Sequence, residues 1–174
     1  PYSGQQAGGA ANVAFTLASR QTQPSAGDSS HLGDADFLVA GAVQSTSGDF
    51  GPLTFGHAFA VVEVDLTGTG TMAGKSVASV MLFGTDAASV SSDGSLTDMA
   101  NMTGSFTFDL TAATGNAAAS YAGGSAQINY CGVDFTAPPV LGADAAKSYL
   151  VINPADYARG NGRVYVVVRT TDGY

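Results

Sequence analysis

Large apolar residues alternate with small or polar ones along several short stretches of the chain. The N-terminal example places Val13, Phe15 and Leu17 at every second position. A period of two puts such side chains on one face of an extended strand, whereas a helix repeats every three to four residues. We therefore predict about eight short strands separated by turns. The clearest of them cover 12–19, 104–110, 125–130, 149–152 and 163–170.

The longest apolar run, Leu53–Gly68, contains a histidine at position 57. Its even positions are apolar from residue 58 onward, while its odd positions change from aromatic to acidic. This pattern predicts a strand that is buried on both faces at its start and on one face at its end. We therefore interpret His57 as a core residue packed between two phenylalanines. The predicted structural core comprises Phe55, His57, Phe59, Val62, Val64, Phe106 and Phe108.

Composition favours the same fold class. Of the 174 residues, 45% are hydrophobic but only 11% are charged, and Glu63 is the single glutamate. A chain poor in Glu and Lys but rich in Gly, Ser, Thr and Val lacks the residues that stabilise exposed helices. We predict an all-β fold, a two-layer β-sandwich of about seven to eight strands, because one-faced strands bury that face against a second sheet. We expect one domain over residues 1–174, with 1–11 as a flexible N-terminal segment.

The charge and the rare residue types argue against several functions. A net charge of −8 with six dispersed Lys and Arg residues is unsuited to nucleic acid, which requires a basic surface. The single cysteine, Cys131, excludes an internal disulfide framework and is interpreted as a small buried hydrophobe. No stretch reaches the roughly 20 apolar residues of a transmembrane helix. The chain begins at Pro1 without a hydrophobic leader, as is typical of a processed or truncated product.

Two segments resemble known motifs but fail their requirements. Thr67–Ser76 ends in Gly-Lys-Ser, yet the phosphate-binding pattern needs a glycine where Thr69 stands, and then a helix. We interpret it as a glycine-rich hairpin leading into a returning strand at 75–83. Ser89–Ala100 lacks ligand residues at both ends of a calcium loop. We therefore predict no catalytic, cofactor-binding or metal-binding residue; the alternative is a hydrolase built around His57.

The order of several short motifs is also informative. They are DFLVA at 36–40, FGHAFA at 55–60, GSFTFDL at 104–110, YLVINP at 149–154 and VYVVVRTTDG at 164–173. In this order the chain resembles the fimbrillin-like pilus proteins (FimA/Mfa type, type V pili) of Bacteroides-like bacteria, in which a D-[YF]-L-x-A strand precedes an F-K-H-A-[FL]-A strand. Two departures are that Gly56 stands where that family has lysine, and that no lipidation cysteine lies near the N-terminus.

The resemblance implies a transthyretin-like (Greek-key) β-sandwich that forms the N-terminal domain of a larger two-domain subunit. The implied function is that of a structural or adhesive subunit of a fimbrium, exported as a lipoprotein precursor to the outer membrane and extracellular surface of a Gram-negative bacterium. Its implied partners are other pilus subunits and a host surface protein or glycan, with membrane contact only through a lipid anchor outside this chain. The alternative is a secreted carbohydrate-binding β-sandwich module, against which the absence of Trp counts.

In such pili, proteolytic removal of an N-terminal strand opens a groove that a strand from the next subunit fills by main-chain hydrogen bonding. By this resemblance Val13, Phe15 and Leu17 form the candidate exchangeable strand. Arg20, the first residue of a predicted polar loop at 20–33, is the candidate protease-processing site. The alternative interpretation of Arg20 is an ordinary exposed loop arginine.

Overall fold

The computed structural model describes residues 12–40, 55–85, 101–109, 120–121, 128–154 and 163–173. They form eleven strands and two short 3-10 helices, Ser30–Asp34 and Gly70–Met72, so the all-β class is confirmed. None of the described helices is long or apolar enough to cross a bilayer. The strands are β1 (Asn12–Leu17), β2 (Arg20–Gln23), β3 (Leu38–Ala40), β4 (Phe55–His57), β5 (Ala60–Leu66), β6 (Val77–Thr85), β7 (Gly104–Asp109), β8 (Ser120–Tyr121), β9 (Tyr130–Phe135), β10 (Ala146–Ile152) and β11 (Arg163–Thr170).

The strands pair into four sheets. The largest has the order β11-β6-β9-β2, in which β2 runs parallel to β9 and the other neighbours are antiparallel. A second sheet has the order β1-β7-β8, and two further antiparallel pairs join β5 to β10 and β3 to β4. The arrangement is consistent with a β-sandwich.

The first core cluster lies where the four-stranded sheet faces the β5–β10 pair. Alternate residues of β6 and β9 contribute Val80, Leu82 and Val133, while Leu150 and Ile152 enter from β10. Val62 and Val64 of β5 pack against this cluster and are partly buried. β5, β6 and β9 each turn one apolar face toward this cluster, so the packing of the two layers removes these faces from water.

The second core cluster is aromatic. Phe106 and Phe108 of β7 are 1% and 5% exposed, and their rings meet Phe59 edge-on at centroid distances of 5.3 and 6.0 Å. Val151 joins this cluster while its neighbours Leu150 and Ile152 join the first one. Successive side chains of a strand point to opposite faces, so β10 is shared by both clusters and lies between them.

Three strand predictions are wrong in instructive ways. The run at 53–68 does not form one strand, because residues 58 and 59 bend between β4 and β5 and the inward parity is lost there. The segment at 20–33 is not only a loop, since its first four residues form β2. The strand expected at 125–130 begins at Tyr130, as β9, and ends at Phe135; positions 125–127 lie outside the described residues.

The glycine-rich connection from β5 to β6 is not a hairpin either. β5 pairs with β10 and β6 pairs with β9 and β11, so this connection carries the chain from one layer to the other. Gly68 lies so close to Leu141 that a Cβ on the glycine would be 2.6 Å from the leucine Cβ. The segment after Lys75 is a strand, which agrees with the rejection of a phosphate-binding loop. The calcium-like segment 89–100 lies outside the described residues, as does the N-terminal segment 1–11.

Candidate functional site

β1 is an edge strand of its sheet. It pairs only with β7 in the described sheet, over six residues in antiparallel register from Asn12↔Asp109 to Leu17↔Gly104. The hydroxyls of Thr16 and Ser105 lie 3.4 Å apart on the outer face of this pair. An edge strand can leave its sheet without breaking the pairing of the strands that remain.

The inward side chains of β1 complete the aromatic cluster. Leu17 is 1% exposed, and the ring of Phe15 lies 4.6 Å from that of Phe37 and 5.6 Å from that of Phe108. Val13 is opposite Phe108 in the register. The candidate exchangeable residues therefore fill a groove whose other walls come from β3, β7, β10 and the bend at residues 58–59, and the loss of β1 would expose that groove to water.

Arg20 does not lie in an open loop. It starts β2, and its guanidinium forms a bidentate ion pair with Asp134 of the adjacent strand β9, with Nε donating to Oδ2 at 3.0 Å. Gly132 is its partner in the parallel register, and the arginine side chain lies over this glycine, since a Cβ there would be 3.5 Å from Arg20 Cδ. Both partners are more than a third exposed, so the pair stabilises the fold by about 0–1 kcal/mol. The premise of an accessible processing loop is wrong, while cleavage at Arg20 stays a prediction.

The two glutamines that follow form the least expected feature of the molecule. Gln21 Nε2 donates to the Val151 carbonyl at 2.8 Å, and Gln21 Oε1 accepts from the Val151 N–H at 2.9 Å. Gln23 repeats the pattern two residues earlier on β10, with Oε1 accepting from Tyr149 N–H at 2.9 Å and Nε2 donating to the Lys147 carbonyl at 3.0 Å. The two side-chain amides thus mimic a neighbouring strand along the free edge of β10.

We call this set of contacts the glutamine seam. Two more groups complete it: Gly27 N–H donates to the Lys147 carbonyl at 2.9 Å, and His31 Nε2 donates to the Tyr149 carbonyl at 3.1 Å. Gln23 is fully buried. A buried amide is tolerated only when its polar atoms have partners, and the seam supplies them. The alternation Gln-Thr-Gln at 21–23 is the signal in the sequence that could have revealed a strand here.

Cys131 lies against the seam. Its thiol is 3.2 Å from Gln21 Nε2 and 3.5 Å from the Val151 carbonyl oxygen. Burial raises the pKa of Cys131 to about 12, because a low-dielectric surrounding disfavours the thiolate. A thiol held neutral in this way is a poor nucleophile.

His57 and Phe55 are wrongly predicted as core residues. The His57 side chain is 66% exposed and Phe55 is 56% exposed, because β4 pairs with β3 as a short ribbon whose outer face carries both residues. His57 Nδ1 lies 2.5 Å from Asp36 Oδ1. Phe59, by contrast, is 7% exposed and belongs to the aromatic cluster.

This histidine–carboxylate pair stands at a cavity of about 280 Å³. The lining comes from the first 3-10 helix and the residues after it, from the end of β4 and the bend that follows it, and from β5 and β10. The lining residues are Leu32, Ala35, Asp36, His57, Phe59, Val61 and Val151. They include no serine, threonine or cysteine that could serve as a nucleophile beside the histidine.

The opposite edge of the large sheet is apolar. Val164, Tyr165, Val166 and Val167 of β11 are each 43–50% exposed, and only Val168 packs against the first cluster. The strand has the predicted bounds. The alternation of Val164, Val166 and Val168 predicts that all three are buried, but Val164 and Val166 are exposed. In the described sheet β11 pairs with β6 alone, so one row of its backbone groups faces away from the sheet.

Within the described ranges, no cluster of three or more His, Cys, Asp or Glu residues could hold a metal ion. In comparisons with known proteins, no family model, no curated protein and no solved structure matches the chain.

Proposed function

We propose that this chain is a structural subunit of a bacterial cell-surface fimbrium that assembles by β-strand addition between copies, and that it is not an enzyme. The observation that carries the proposal is the position of β1, an edge strand whose Phe15 and Leu17 complete a core built by other strands. The same strand from a second copy would make the same six-residue ladder and fill the same groove. Main-chain pairing would supply affinity, and the alternate side chains would supply specificity.

The separation of β1 from β2 supports this proposal. Only residues 18 and 19 connect the two strands, yet β1 belongs to the β7 sheet and β2 to the four-stranded sheet. The glutamine seam and the Arg20–Asp134 pair hold β2 in place. β1 can therefore leave its own sheet while the rest of the chain keeps its contacts. The transthyretin-like topology, the surface location and the lipoprotein precursor belong to the same proposal.

The exchange can be tested with two variants of the full chain, Thr16→Cys and Ser105→Cys. These positions are cross-strand partners, and neighbouring cross-strand Cβ atoms lie within reach of a disulfide. If β1 of one copy pairs with β7 of another, a mixture of the two variants oxidises to a covalent heterodimer. Gel electrophoresis without reductant detects it at twice the mass of the chain.

A matched control separates exchange from chance contact. Thr22 is also exposed but lies in β2, away from β7, so Thr22→Cys mixed with Ser105→Cys reports random collision. Exchange predicts a clear excess of heterodimer in the first mixture. Equal yields in both mixtures, after long incubation at high concentration, would refute strand addition through β1.

Cleavage at Arg20 is a separate proposal about how β1 is released. Because a protease binds its substrate extended and β2 is paired, the start of β2 must open before cutting. Asp134→Asn removes the charge that holds Arg20 and should speed cleavage by an arginine-specific protease under native conditions. Mass spectrometry of the fragment ending at Arg20 measures it. A cut chain that stays monomeric would exclude processing as the trigger while leaving the exchange test unaffected.

A further inference from the structure

The cavity beside His57 combines an apolar interior with one oriented polar group. Val61 and Val151 are cross-strand partners of β5 and β10, and both line it. Phe59 contributes to its floor, and Leu32 and Ala35 close one side. Val61 is 53% exposed although it is a large apolar residue in a strand. A concave apolar surface of this kind is the usual setting of a small-molecule site.

His57, the polar residue of the lining together with Asp36, has one ring nitrogen engaged by Asp36 and the other available to a ligand. Asp36 as a carboxylate can only accept, so the 2.5 Å contact requires the proton of neutral His57 to be on Nδ1. His57 Nε2 is then an acceptor. A ligand that uses this nitrogen must donate a proton, as a hydroxyl does. The adjacent negative charge of Asp36 also disfavours a carboxylate ligand.

The volume is also sufficient for a small ring system. A closed cavity of about 150 Å³ holds one benzene ring, and the cavity here, which is open on one side, has about 280 Å³, enough for two fused rings. The site therefore suits a flat apolar body with a single hydroxyl at its edge.

We propose that this cavity binds a small aromatic alcohol of the phenol or naphthol class. The ring lies against the Val61–Val151 pair, and the hydroxyl donates to Nε2 of His57, which Asp36 orients. None of the lining residues belongs to β1, β7 or β11, but Phe59 and Val151 share the aromatic cluster with Leu17 of β1. The binding test is therefore made on the full chain with β1 in place.

Three probes that share the naphthalene ring test the proposal on the full chain: 2-naphthol, naphthalene and 2-naphthoate. A neutral hydrogen bond contributes about 1 kcal/mol, which corresponds to roughly fivefold to tenfold in affinity. We therefore expect 2-naphthol to bind about fivefold to tenfold more tightly than naphthalene, and 2-naphthoate to bind more weakly than 2-naphthol. Fluorescence titration gives the dissociation constants, and shifts of the Val61 and Val151 methyl resonances locate the site.

Variants assign the two contributions. His57 is exposed, so His57→Leu should fold, keep naphthalene binding and lose the preference for 2-naphthol. Val61→Ser should weaken both ligands, whereas Val140→Ser, at a valine that is 63% exposed outside the cavity, should change neither. The proposal is overturned by the absence of saturable 2-naphthol binding, by equal affinities for 2-naphthol and naphthalene, by tighter binding of 2-naphthoate, or by an unchanged preference in His57→Leu.

Discussion

β2 and β11 are the two edge strands of the same four-stranded sheet. The outer edge of β2 is covered by contacts with β10, whereas β11 exposes large apolar side chains. β2 has four residues, ends in a fully buried glutamine and is joined to β10 by the glutamine seam. β11 has eight residues, exposes four large apolar side chains and lacks a second strand neighbour in the described sheet.

The two strands differ in how their unpaired backbone N–H and C=O groups are protected from pairing with another chain. Unpaired backbone groups at an edge invite pairing with another chain, and proteins usually cover or charge such edges. At β2 the edge is covered by side-chain amides that act as a substitute strand. At β11 the nearest charge on a described side chain is Arg169, near the end of the strand. Association with another chain is therefore expected at β11 rather than at β2, and the following experiments test the contrast in order of decreasing effect.

The reactivity of the Cys131 thiol measures whether the glutamine seam stays closed, because the thiol lies against the seam. A pKa of about 12 against an ordinary value of 9.0 lowers the thiolate fraction near neutral pH by about a thousandfold. We expect native protein to react with iodoacetamide at least that much more slowly than unfolded protein. Gln21→Ala, which removes the amide beside the sulfur, should raise the rate, whereas Thr22→Ala should not. Rapid labelling of the native chain would contradict a closed seam.

Gln23→Leu should be the most destabilising single substitution along β2. It leaves the part-buried Tyr149 N–H without its partner, which costs about 1–3 kcal/mol of unfolding free energy. Urea unfolding followed by circular dichroism measures the loss. Thr22→Ala, on the exposed face of the same strand, serves as the control and should change stability by no more than about 0.5 kcal/mol. Equal effects of both would mean that the seam contributes nothing.

Val166→Lys should act on association and leave stability nearly unchanged. A charge on an exposed edge strand suppresses pairing with other chains, while Val166 is half exposed, so unfolding free energy should shift by about 0.5 kcal/mol or less. Sedimentation over a range of concentrations should show less self-association than wild type. Val140→Lys, also at an exposed valine but outside β11, is the control; if the two lysine variants behave alike, β11 is not the associating edge.

As the pH falls, amide exchange should accelerate at the end of β11 before it accelerates in β10. A hydrogen bond from Lys75, and then one from Thr170, lowers the pKa of Asp172 below its ordinary 3.8. The carboxylate therefore stabilises the fold above that value, and the contribution is lost as pH falls through the lower folded-state pKa. Amide exchange near Thr170 should accelerate there, and Asp172→Asn should abolish the acid dependence.

Glu63 provides the comparison for this acid experiment. Its pKa is lowered mainly by the hydrogen bond with Lys147 and then by that with Tyr149. Its carboxylate therefore also stabilises the fold, and this contribution is lost as the pH falls. Because Gln23 holds Lys147 and Tyr149 from the other side, protonation of Glu63 should leave amide exchange in β10 little changed. If acid accelerates amide exchange equally in β10 and β11, the two edges do not differ in stability as proposed.

Strands with a simple environment could be predicted from the sequence. β7 alternates buried and half-buried residues as expected from Phe106 and Phe108, and β11 has the predicted bounds. Both results depend on local periodicity alone. The burial of β11 was not predictable, because Val164 and Val166 carry an inward pattern whose packing depends on what lies opposite the strand.

Positions that depend on distant partners could not be predicted. Gln23 has a polar side chain, and only the unpaired edge of β10, more than a hundred residues later, makes its burial favourable. His57 has an apolar neighbourhood in sequence, yet the bend at residues 58–59 places it on the outer face. Tertiary context overrides local pattern in both cases.

The short link between β1 and β2 has a mechanical consequence. Only Ala18 and Ser19 separate the strands, and the Ser19 carbonyl already accepts from Gly132 N–H at 2.8 Å. A pull on the N-terminal strand would reach β2 almost without slack and load its bonds to β9 and β10 together, in shear along the strand direction. The hydrogen bonds of Gln21 and Gln23 to β10 would then resist the applied force.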